Sequence, residues 1–129
     1  MSTDNRSLPV NPGLELRLVM AGVQALRHPR PLYRAIFRVV ISNQCQRPLR
    51  LLGRKWILRE RNGSTRIIEA DKVFGNTPVL TPGAVFSTSG TQEFDTPPVA
   101  MELRLFGTDE YGTPFISAPL HFPRSCFQQ

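Results

Sequence analysis

Cysteine, histidine, lysine and tryptophan are all scarce in this 129-residue chain, and each scarcity excludes something. Its two cysteines, Cys45 and Cys126, lie far apart and form no CxxC, so neither a zinc knuckle nor a dithiol redox motif is available and two free thiols are expected. Its two histidines, His28 and His121, have no Gly-x-Ser-x-Gly elbow or cysteine partner to make a nucleophile–base pair. Apolar runs stop at about four residues, far below the ~20 that a membrane helix needs. Met1 to Arg6 carries no apolar h-region, so a cytoplasmic protein without membrane contact is expected, and the Asn-x-Ser triplets at Asn5 and Asn62 carry no glycosylation signal in that setting. A helical period is missing throughout. What remains is a globular composition, 40% hydrophobic and 20% charged, of single-domain length.

Charge is unevenly distributed. Lys55 and Lys72 are the only lysines, so arginine supplies nearly all of the positive charge behind the net +6. Residues 14–66 hold twelve Lys/Arg against Glu15 and Glu60, whereas residues 67–129 hold three basic residues against seven acids. Such polarity suits a basic face that meets an acidic partner, and it also arises from solvated strand exteriors. No run of consecutive basic residues exceeds two, which favours the solvated exteriors, and nucleic acid is not the expected partner.

Period two dominates the chain. Leu14, Leu16, Leu18 and Met20 share one face of a period-two run, and Tyr33, Ala35, Phe37, Val39 and Ile41 share a face of the next, with Arg34 and Arg38 on the other side, which predicts an antiparallel hairpin around the His28-Pro29-Arg30-Pro31 turn. Arg17, Arg34 and Arg38 then point away from the core on one sheet surface. Gly53, inside the run Leu49 to Arg61, predicts a bulge or a sheet-switching bend, and Asn62-Gly63 predicts a type I′ hairpin turn. Further strands are expected at Thr65–Glu69, Val85–Thr88, Val99–Leu105 and Phe115–Phe122, with a turn-rich stretch from Ser89 to Pro98. Seven short strands read as an all-β sandwich spanning residues 14–122, flanked by a loose tail over 1–13 and another over 123–129. Trp56 is the expected centre of the core, with Phe37, Val39, Leu103 and Leu105 across the sandwich.

The ordered residues carry a resemblance. Leu51-Leu52-Gly53-Arg54-Lys55-Trp56-Ile57, followed by Asn62-Gly63, resembles the Leu-Leu-Ser-Arg-His-Trp-Ile and Asn-Gly pattern of the ApaG family. Val79-Leu80-x-Pro82-Gly83-x-x-Phe86, then Ser89-Gly90, Thr96-Pro97 and Met101, is similar to that family's later segments. The resemblance implies a fibronectin-type-III-like sandwich of two antiparallel sheets. It implies no enzymatic activity. It suggests a genetic link to cobalt and magnesium handling, and a role in protein interaction like that of related eukaryotic domains. The family also carries a Gly-x-Gly-x-x-Gly stretch likened to a pyrophosphate loop, which reads Ala70-Asp71-Lys72-Val73-Phe74-Gly75 here.

Two candidate sites follow. The first is the basic face of Arg17, Arg34 and Arg38, which would recruit an acidic protein of unknown identity, the acidic half of a second copy being one option. The second is weak anion or nucleotide binding around Gly75, with Lys72 and Arg54 supplying charge. Two replaced glycines make positive φ unexpected at Ala70 and Lys72, and no helix follows to back a phosphate. Asp109-Glu110 is the only adjacent acidic pair and sits at an expected hairpin tip, so no metal site and no cofactor are expected. The expected function is a non-enzymatic protein-interaction domain, with any cobalt or magnesium link indirect; the rivals are an anion or nucleotide binder and an enzyme with an unrecognised site.

Overall fold

Ten strands in two sheets form a β-sandwich in the computed structural model, which describes residues 8–27, 32–96 and 98–127. They are β1 (Val10–Asn11), β2 (Leu14–Leu26), β3 (Leu32–Asn43), β4 (Leu49–Glu60), β5 (Thr65–Asp71), β6 (Val79–Leu80), β7 (Val85–Phe94), β8 (Pro98–Asp109), β9 (Pro114–Ser117) and β10 (Leu120–His121). The larger sheet runs β1-β9-β8-β4-β5, with β6 on β4 and β10 on β8; the smaller is β2-β3-β7. The expected Pro/Arg turn at residues 28–31 lies outside the described residues.

Alternation builds the core. Ala35, Phe37, Val39 and Ile41 of β3 are fully buried and meet Leu51, Trp56 and Leu58 of β4 and Leu103 and Leu105 of β8. Trp56 packs edge-on against Phe37, with ring centroids 5.2 Å apart, and against Phe122 at 5.6 Å. Phe37 and Val39 do lie across the sandwich from Trp56. Leu103 and Leu105 do not: they belong to the adjoining strand of the same sheet, where Leu103 pairs with Trp56.

Several local features differ from the sequence reading. The register slips between Leu18 and Met20, so Met20 turns outward and Ala21 and Val23 take over the inner face. At Asn62-Gly63 only Gly63 has positive φ, at 90°, and Gly63 N donates to Glu60 O. The hairpin therefore closes by a type I turn with a glycine bulge rather than by type I′. Ser89 to Phe94 continues β7 instead of turning, because Gly90 faces inward and makes room for two rings. A Cβ there would sit 2.6 Å from Phe74 and 2.8 Å from Phe37. The expected last strand is interrupted between Ser117 and Leu120. The predicted bulge is present, between Leu51 and Gly53.

Parts of the two expected tails, at residues 10–11 and 124–127, make contacts with the sandwich. Val10 and Asn11 pair in parallel with Ile116 and Ser117. Arg124–Phe127 forms one 3₁₀ turn, from which Phe127 packs on the core.

Candidate functional site

The hairpin register brings the three outward arginines together. Arg17 stands opposite Val40, two residues along β3 from Arg38, and Arg34 lies two positions further along the same face beyond Ile36. Their circumstances then diverge. Arg34 pairs across the sheet with Glu93 of β7, and its Nε and terminal nitrogen donate to Glu93 Oε1 at 3.1 and 2.7 Å. Arg38 pairs with Ser89 and donates to its hydroxyl from Nε at 3.3 Å. Among the described residues neither Arg17 nor Arg38 forms an ion pair, although Glu15 lies on the same face two residues before Arg17.

Beside these two arginines the bulge leaves Val19 and Met20 half exposed, Met20 directly opposite Arg38. The surface thus combines two uncompensated guanidinium groups with apolar side chains. Arginine, methionine and exposed apolar area together are the composition of contact surfaces rather than of inert exteriors. Sequence reasoning found the arginines but missed Glu93, Ser89 and Met20. Glu93 is 59 residues from Arg34 in the chain, and only the β3–β7 register reveals the pair.

Residues 70–75 are organised quite differently. Lys72 holds φ at 68° and Phe74 at 49°, beside Gly75 at 96°. Positive φ at Lys72 corrects the expectation that, without the glycine, the position would not adopt it. Ala70 does not adopt it. A non-glycine residue in this region costs on the order of 1–2 kcal/mol, so something must hold it there. Burial does so: Val73 is fully buried and the Phe74 ring stacks edge-on against Phe37 with centroids 4.9 Å apart.

Arg54 fixes the loop from β4, where its side chain is half-buried on the same face as Trp56. One terminal nitrogen donates to both Asp71 O and Lys72 O at 2.9 Å, and the guanidinium lies 4.9 Å from the centre of the Phe74 ring. The loop amides are also engaged: Lys72 N donates to Leu52 O, Val73 N to Asn76 O and Asn76 N to Val73 O. Arg54, Lys72 and Gly75 are therefore brought together as expected, but as a plug on the core. An anion there would compete for amides already bonded.

The remaining candidates carry little chemistry. Asp109 Oδ1 accepts from the Tyr111 and Thr113 amides and so organises its own hairpin tip. Among the described residues no three His, Cys, Asp or Glu side chains are placed to hold a metal ion. Cys45 and Cys126 are free; burial pushes the Cys126 thiol up from its ordinary range, away from the reactive thiolate. Among the described residues no helix is long and apolar enough to cross a membrane.

Comparison with known proteins adds the family. The ApaG domain (DUF525) matches residues 26–104. The protein called ApaG from Methylococcus capsulatus is 32% identical over 111 residues, covering 82% of this chain and 86% of that one. Its Escherichia coli K12 namesake is 30% identical over 79 residues, 61% of this chain and 63% of that one. Two solved structures share the fold. One, a structural-genomics X-ray target, superposes with a TM-score of 0.71 at 20% identity over 87% of both chains. The other, a Bordetella pertussis protein described as ApaA, gives 0.61 at 23% identity, over 88% of this chain and 94% of that one.

Proposed function

This chain belongs to the ApaG domain family, and from that premise we propose that it works in the cytoplasm as a non-enzymatic interaction domain that docks an acidic protein on the outer face of the small sheet. One observation carries the reading: among the described residues Arg17 and Arg38 have no carboxylate partner and stand beside exposed Met20, while Arg34 on the same face is paired with Glu93. A basic face with an apolar centre favours a protein that offers carboxylates around an apolar contact. The link to cobalt and magnesium that the family suggests would then run through the partner.

The test is affinity capture from native cytosol with the wild type and an Arg17→Glu/Arg38→Glu double variant. The variant should lose the captured protein while keeping its melting temperature, and wild-type capture should weaken as salt rises. Capture that survives the double reversal with unchanged salt dependence rules the face out.

The rival reading, pyrophosphate or nucleotide at the Gly75 loop, has the glycine-like backbone of Lys72 in its favour. Against it stand Arg54, engaged with two loop carbonyls, and the bonded amides of Lys72, Val73 and Asn76. The interaction reading accounts for more of the molecule.

A further inference from the structure

We propose that the free edge of β7 accepts an extended acidic segment of the partner as a fourth strand of the small sheet. The proposal rests on the interaction reading above and gives it a mode of recognition. Strand β7 is ten residues long and, among the described residues, pairs only with β3, in a register without slips from Ser42↔Val85 to Tyr33↔Phe94. Among the described residues, no backbone group of Val85–Phe94 bonds to another backbone group outside that pairing.

Long unbroken edges are normally blunted by bulges, proline or charge, because a row of unpaired amides and carbonyls templates another strand. The opposite edge, β2, carries such a bulge at Leu18/Met20. The edge β5 is shorter, at seven residues, and bears Arg66, Glu69 and Asp71. By contrast β7 presents Ser87, Ser89 and Thr91 on its outer face, with Glu93 as its single charge, already bound to Arg34. Only weak contacts touch its carbonyls: Thr88 Oγ1 and Gln92 Nε2 reach Ser89 O and Glu93 O at 3.5 Å. A strand would displace them readily.

Charge selects the occupant. Bonding to Ser89 draws the Arg38 side chain over β7 toward the free edge. An added strand lies roughly 4.8 Å beyond β7, so an outward carboxylate on it comes within reach of Arg38. Arg38 would gain from the partner what Arg34 has from Glu93. A second copy fits less well, since β7–β7 pairing sets two basic faces side by side on a protein of net charge +6.

The probe is a synthetic peptide of alternating Glu and Val, matched in length to β7, with two controls: the same peptide N-methylated at every second residue, and a Lys-for-Glu version. Amide hydrogen exchange is read by NMR across the intact protein. The Glu/Val peptide should slow exchange of alternate amides in Val85–Phe94 by about tenfold or more, while both controls fail and Arg38→Glu weakens binding about tenfold. Absence of β7 protection overturns the edge proposal. Equal binding of the N-methylated peptide, with shifts confined to Arg17, Met20 and Arg38, also overturns the edge but leaves the face reading intact. Protection that appears on raising the protein concentration without peptide names a second copy as occupant and contradicts the proposal.

Discussion

Two regions of this sandwich hold arginine beside a feature that attracts attention, and they use the charge in opposite ways. At residues 70–75, Arg54 is bonded to Asp71 O and Lys72 O and stacks on Phe74, so its charge stabilises a strained loop that buries Val73 and packs Phe74 against the core. On the outer face of the small sheet, Arg17 and Arg38 have no acid partner among the described residues, and Met20 is exposed opposite Arg38. A motif that looks like a ligand cradle is thus a core plug, and a strand exterior that looks inert keeps its charge available. The useful distinction is whether a polar group is already satisfied within the fold.

The comparison breaks most easily at Phe74. If the loop plugs the core, Phe74→Ala should destabilise by about 3–5 kcal/mol in chemical denaturation, the usual cost of emptying an aromatic site. A loss below about 1 kcal/mol would detach the loop from the core. Arg54→Ala should come next, at about 1–2 kcal/mol, from two lost charge-assisted hydrogen bonds and the ring contact. Its effect belongs in stability, and capture of an acidic partner should be unchanged.

Lys72→Gly sharpens the contrast. Relief of the positive φ is offset in part by the greater freedom of the unfolded chain, so a gain of up to about 1 kcal/mol is expected in thermal denaturation. A substantial destabilisation would mean that the lysine side chain itself holds the loop. Arg17→Glu/Arg38→Glu closes the series: stability should move by no more than about 0.5 kcal/mol, as for exposed strand positions, while partner binding is lost.

The architecture was legible where side-chain period and turn chemistry agree. The β2–β3 hairpin, the Gly53 bulge and burial of Trp56 all follow from local pattern. The failures share a physical cause, since each depends on a neighbour distant in the chain. Gly90 is a strand residue because Phe37 and Phe74 need the space of its missing side chain. Lys72 adopts a glycine-like backbone because Val73 and Phe74 must point inward. Met20 faces out because a single bulge reverses the alternation after Leu18. The candidate face was likewise half legible: alternation places its arginines, but only the sheet register distinguishes Arg34, paired with Glu93, from Arg38, which is not.

The most direct measurement is a pair of NMR titrations at physiological salt, one with the Glu/Val peptide and one with pyrophosphate. The account predicts that the peptide perturbs amides around Arg17, Met20 and Arg38 and along Val85–Phe94, while pyrophosphate leaves Lys72 and Gly75 unmoved. Saturable pyrophosphate shifts at Lys72 and Gly75 that Lys72→Ala removes, together with a small sheet untouched by the peptide, would contradict it.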